Sequence, residues 1–262
     1  AFVEMKKLTL SFTKCNRIHI GKKYGSCPDL KVHDAQMNDS NQEKYLGDLV
    51  NKTGNIKATV ADRVAKGHGI VSEIKAILNE VPLGKYKLEM GLQLRQAMLL
   101  NGLLYNSEAW HSVTLEDIVA LEKLDEGLLR FLLGSHSKAP IEMLYLESGA
   151  TPIRLVVSSR RLNYLQTILK RDEEELTKRI LVAQRDSPCP GDFIKLVEED
   201  IKTFDLSMDI SSIESCGENV FKKVIKSKMK DAALKYLKKL QEPHTKVNKI
   251  RYEKLETQKY LL

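Results

Sequence analysis

Lys44-Tyr45-Leu46-Gly47-Asp48-Leu49-Val50 is the stretch at which this chain changes character. A lysine and an aromatic residue lead into Leu-Gly. The residues before it are polar and carry strand signals; those after it show helical periodicity almost to the end. Gly47 lets the backbone bend or lie close to a neighbour. Leu46, Leu49 and Val50 can anchor the turn. Tyr-Leu-Gly occurs by chance in many folds, so the flanks decide how it is read.

Upstream, Leu8-Thr9-Leu10-Ser11-Phe12 alternates with period two, Thr13 to Asn16 is turn-like, and Arg17-Ile18-His19-Ile20-Gly21 alternates again. Residues 8–21 therefore read as a hairpin or two short strands. Ser26 to Gln42 holds Pro28 and several Asp and Asn, and reads as loop with a short strand near Leu30–Val32. Lys44 to Val50 is a further strand or turn, and Thr53-Gly54-Asn55 turns the chain into its first long helix.

That helix runs from about residue 56 to 79, with Val60, Val64, Val71, Ile74, Ile77 and Leu78 at helical spacing. Gly67-His68-Gly69 predicts a kink in it. A second helix, about 85–105, is apolar nearly all round and reads as the central one. Thr114 with Asp117 resembles a capping box opening a third helix, about 115–133. Connections this short predict an antiparallel bundle over residues 53–134. Beyond it come a short helix after Pro140, a longer one begun by Thr151-Pro152 as cap and first turn, and amphipathic helices near 173–186 and 191–204. A polar, loose segment spans 205–217, and a basic helix covers about 218–241. The fold class is thus mainly α with a small β-containing N-terminal part. Three regions follow: 1–52, 53–134 and 135–262.

The 262 residues are 42% apolar and 29% charged, which fits a globular chain. No apolar run approaches the roughly 20 residues of a membrane-spanning helix. The first residues read like the end of a helix already under way, as in a piece of a longer protein. The net charge of +7 is uneven: Phe221 to Leu262 holds thirteen Lys/Arg against four Asp/Glu, which leaves the remainder slightly negative. Such density favours a polyanion partner over a merely solvated face. Cys15, Cys27, Cys189 and Cys216 form no Cys-x-x-Cys pair. With His19 and His33 they match no standard zinc spacing, so they read as reduced structural thiols. Asn38-Asp39-Ser40 and Asn51-Lys52-Thr53 are sequons read as coincidental.

Phe2 to Ser11, Lys14-Cys15, Arg17 to Gly21 and Lys44 to Asp48 together resemble the late palm of a reverse transcriptase. The likeness is to LINE-type, non-LTR retrotransposon polymerases with a restriction-like endonuclease at the C-terminus. Leu144 to Gly149 and Ser159 to Leu165 are also similar to that group. The resemblance implies that Lys14 is the family's lysine and that Tyr45, Leu46 and Gly47, with Lys44, form its primer-grip turn. It further implies a helical thumb over 56–133 and a linker over roughly 138–262. RNA and DNA, as a template–primer duplex, would be the partners, Mg²⁺ the parent polymerase's metal, and the nucleus the location. Arg160, Arg161, Lys222, Lys223, Lys226 and Lys230 are the further candidates for phosphate contacts.

The departures are as informative. A polymerase holds two metal ions through paired carboxylates, and no Asp-Asp pair occurs in this sequence. Catalytic and metal residues are therefore not assigned, and this chain alone is expected to be inactive. There is no Gly-x-Ser-x-Gly and no glycine-rich phosphate loop. Trp110 could stack on a base or cap the bundle core. The rival reading is a helical interaction scaffold with no nucleic-acid role.

Overall fold

In the computed structural model of the protein, residues 15–20, 31–32 and 35–241 are described. The chain is mostly helical, with a few short strands near its N-terminus. It divides into two compact units, Ala1–Asp62 and Arg63–Leu262. The boundary anticipated at residue 134 falls inside the second.

In the first unit the strands pair two by two. β1 (Asn16–Arg17) runs parallel to β4 (Asn38–Asp39), and β2 (Lys31–Val32) antiparallel to β3 (Ala35–Gln36). Arg17 Nε reaches Asp39 Oδ1 at 2.6 Å along the first pairing. Asn16, expected in a turn, is therefore a strand residue, because its partner lies more than twenty positions away and no local pattern reports it. Residues 8–14 and 21 lie outside the described residues. β5 (Gln42–Tyr45) and β6 (Asp48–Asn51) form an antiparallel hairpin with Tyr45 opposite Asp48. The backbone N–H of Leu49 donates to Thr59 Oγ1 at 2.9 Å, which ties β6 to the first turn of α1 (Lys57–Ile77).

α1 continues through Gly67 and Gly69 without a break in the helix. At Gly67 the reason for glycine is packing: a Cβ there would meet the side chains of Leu124 and Leu103 at 2.6 and 2.7 Å. α2 (Lys85–Leu94) passes into a π-helical turn, Arg95–Leu100, and then α3 (Asn101–Leu103). This run is not the all-round buried helix read from its leucines. Arg95, Leu99, Leu100, Leu103 and Leu104 face inward, while Gln93, Gln96, Ala97 and Asn101 are exposed. The wider π turn gives an inward position to an arginine, whose guanidinium finds partners there.

α4 (Leu115–Leu133) has the bounds its capping signals predict: Thr114 and Asp117 cap each other reciprocally, and Gly134 closes the helix in the left-handed conformation. α5 (Ile141–Ser148) and α6 (Ile153–Leu169) follow. Thr151 is not the cap expected of it. Pro152 holds that position without a side-chain bond, and the Thr151 carbonyl accepts from Arg95 Nη2 at 2.8 Å. α6 is the hub of the unit. It packs against α4, the 3₁₀ turn Ser107–Ala109, α7 (Leu176–Asp186), α8 (Phe193–Thr203), α9 (Ile210–Ser215) and α10 (Glu218–Gln241). Leu162, Leu165, Val197, Phe204, Ile213 and Phe221 meet in the core around it. Each such side chain contributes about 1.5–3 kcal/mol by leaving water. α9 lies in the segment read as loose. It is one short helix started by Asp209, whose carboxylate accepts from the Ser212 N–H at 2.7 Å.

Candidate nucleic-acid interface

Two features among the described residues hold the basic candidates for a nucleic-acid contact. The first is the tip of the β5–β6 hairpin. Of the two-residue turns that suit the right-handed twist of paired strands, type I′ needs positive φ at both residues. Leu46 has φ 46° and Gly47 φ 94°. Glycine takes that conformation freely, but leucine does so at about 1–2 kcal/mol. The strained leucine is also 72% exposed and Tyr45 beside it 67%; Lys44 is exposed too. The tip thus spends conformational energy to hold an apolar side chain in water, next to a ring and an ammonium group. Lys14 lies outside the described residues.

The second feature is α10. Its sequence holds eight lysines against two carboxylates. Phe221, Ile225 and Ala232 are buried and fix which face packs inward. Lys222, Lys226 and Lys230 follow at intervals of one helical turn and Lys223 stands beside the first, so the four share an arc of about 100°. All four are exposed. Lys222 pairs with Glu218 at 2.5 Å, a solvent-facing bond that holds little energy. Lys170, at the end of α6, also acts on the Glu218 carboxyl, which sits below its ordinary range chiefly through its bond to Lys222. In the sequence Lys170 reads only as a basic residue along the helix after Pro152, since nothing local brings it to the start of α10.

Arg160 and Arg161 are placed otherwise. The Arg160 guanidinium donates to the Leu104 carbonyl, and burial lowers its pKa. Arg161 is 4% exposed and lies 3.2 Å from Asp200 Oδ2. Burial lowers its pKa and pushes the Asp200 carboxyl up to about 6, against the pull of Arg161 itself. Arg161 is therefore an interior residue that joins α6 to α8, out of reach of a phosphate chain. The two arginines and the four lysines of α10 do not form one surface.

Further basic side chains are tied to neighbouring helices. Arg154 Nε and Nη2 donate to Glu122 of α4 at 2.8 and 2.6 Å, and its guanidinium lies 4.5 Å from the centre of the Tyr236 ring. Lys178, 4% exposed, donates to the Leu169 carbonyl and to Glu214 at 2.7 Å. Trp110 is 2% exposed, which selects core packing over stacking on a base. Among the described residues, no group of three or more His, Cys, Asp or Glu side chains is placed to hold a metal ion, and Cys189 and Cys216 are free thiols. No described helix is long and apolar enough to cross a membrane. Compared with family models, curated proteins and solved structures, the chain matches none.

Proposed function

We propose that this chain binds nucleic acid, holding a template–primer duplex of RNA and DNA as the thumb-side part of a LINE-type reverse transcriptase would. The observation that supports this reading is the arc of Lys222, Lys223, Lys226 and Lys230 on the solvent side of α10. A nucleic-acid strand offers regularly spaced monoanions, and each ammonium group that meets one releases a condensed counterion. Lys44 and the exposed ring of Tyr45 suit a strand end, one by charge and the other by stacking. On this reading the chain holds the duplex, and Mg²⁺ belongs with a carboxylate pair that this sequence lacks.

The test is a titration with an RNA–DNA hybrid at several salt concentrations. Replacing the four lysines by Gln should weaken binding to all sequences alike. The salt slope of log K should flatten by roughly two to four units. Gln and Lys have similar helix propensity, so α10 should persist. A quadruple variant with the wild-type slope would refute the assignment to α10.

The interaction-scaffold reading is favoured by Leu176 and Ile180, one turn apart on α7 and 69% and 48% exposed. It predicts no salt-dependent binding to the hybrid, so the same titration separates the two.

A further inference from the structure

A cleft of about 250 Å³ opens between the end of α8 and a face of α10 turned away from the lysine arc. Lys228, Lys235 and Lys238 line it, together with Asp205 and Asp231, over an apolar floor that includes Phe204.

The end of α8 explains why Asp205 is there. The Leu206 N–H donates to the Ile201 carbonyl at 3.0 Å, and the Asp205 N–H to the Lys202 carbonyl at 3.1 Å. This pair of bonds is a Schellman closure, and it puts Asp205 at the residue that turns left-handed, with φ 50°. Glycine is the usual occupant because it has no Cβ to strain. Here the position holds a carboxylate instead, at the negative end of a helix dipole. Lys235 Nζ donates to Asp205 Oδ2 at 2.9 Å. That bond first, and then the charges of Lys235 and Lys228, hold the carboxyl below its ordinary range.

We propose that this cleft is a binding site for a phosphate group, and that the Asp205 carboxylate occupies it as a stand-in anion until a phosphate displaces it. Both groups are oxyanions that accept from ammonium donors, and lysine binds phosphate as a point charge. With both aspartates in place, the three lysines leave the cleft a single net positive charge. With Asp205 turned out they leave two, which matches a phosphate dianion. The closure of α8 places the carboxylate against Lys235 in a solvent-facing pair, Lys235 63% and Asp205 70% exposed, which an incoming anion can reach. The phosphate can be free in solution or part of a nucleic-acid strand. The site itself does not depend on the lysine arc.

The experiment titrates inorganic phosphate into the whole chain by calorimetry at low ionic strength, using wild type, Asp205→Gly and a Lys228/Lys235/Lys238→Gln variant. Glycine suits φ 50°, so Asp205→Gly keeps the helix end while removing the carboxylate; Asp205→Asn, which keeps the side chain's shape, is the second variant. Both should bind phosphate about threefold to fivefold more tightly, the scale of one solvent-facing ion pair. The triple lysine variant should lose the binding. A second arm uses a single-stranded oligonucleotide with the Lys222/Lys223/Lys226/Lys230→Gln chain as background. If Asp205→Gly strengthens binding there as well, the natural ligand is a strand phosphodiester; if only inorganic phosphate responds, it is a free phosphate. Should Asp205→Gly and Asp205→Asn bind both probes no more tightly than wild type, the proposal is overturned. The same holds if the triple variant binds as wild type does. Failure of the quadruple variant to alter hybrid binding would count against the lysine arc alone and leave this site standing.

Discussion

Arg95 grips Asp125 with two parallel hydrogen bonds, Nε to Oδ1 at 2.5 Å and Nη2 to Oδ2 at 2.7 Å, in the interior of the second unit. Asp125 is fully buried and Arg95 5% exposed. The Tyr145 hydroxyl donates to the same carboxylate at 3.2 Å, and burial drives its pKa well up. One carboxylate on α4 therefore joins the π turn, α5 and, through the Thr151 carbonyl, the start of α6. A pair this well bonded gains little over an apolar one, but breaking it strands a charge.

Asp125→Ala should destabilise the protein by about 3–5 kcal/mol, because Arg95 stays charged in a dry site. Urea unfolding measures this. Arg95→Met combined with Asp125→Leu should recover much of the loss. A double variant as unstable as the single one would mean that the helices are not joined through this pair.

Leu99→Asp tests the core beside it. Leu99 is fully buried, and an uncompensated carboxylate in its place should cost several kcal/mol. An unchanged thermal midpoint would put Leu99 outside the core.

The Asp200 carboxyl titrates near pH 6 in the folded protein, against an ordinary value of 3.8. Folding therefore favours its protonated form. The stability it contributes is complete below about pH 3.8 and is lost as pH rises to about 6. A shift of this size corresponds to about 2–3 kcal/mol. Asp200→Asn should remove that decline from a plot of unfolding free energy against pH; a plot of unchanged slope over pH 4–6 would show that Asp200 is not its source.

Leu46→Gly should relieve the left-handed strain at the hairpin tip and raise stability by about 1 kcal/mol. If the tip contacts nucleic acid, the same change should weaken hybrid binding through loss of the side chain. Binding that stays the same in a stabilised variant would remove the tip from the interface.

The parts of this fold that the sequence makes legible are those set by near neighbours. Thr114 and Asp117 lie three residues apart, and Gly134 follows the last apolar turn of α4, so both ends of that helix can be read directly. The basic helix 218–241 carries its own periodicity. Arg161 is opaque because its partner Asp200 stands on another helix thirty-nine positions later. The π turn is equally hidden: Arg95 at its start meets Asp125 thirty positions later, and the leucines around it give only apolar periodicity. Thr151-Pro152 looks like a helix start, yet the threonine's carbonyl is engaged by Arg95 from outside the segment. For the interface, the spacing of Lys222, Lys223, Lys226 and Lys230 places them on one arc. Which way that arc faces follows from Phe221 and Ile225 meeting a core built mostly by other helices.

Tyr236 over Arg154 gives α10 a second attachment to the bundle. The ring belongs to the lysine-bearing helix, and the guanidinium is gripped by Glu122 of α4. Tension applied along α10 is thus borne at that point by an ion pair and a ring face, alongside the apolar contacts of Phe221 and Ile225 nearer the helix start. Apolar contacts give way gradually as surfaces slide, whereas a paired guanidinium releases over a short displacement. Beyond the lysine arc α10 is thus tied to α4 through Arg154 and Glu122, and at its start it is anchored by Phe221 and Ile225.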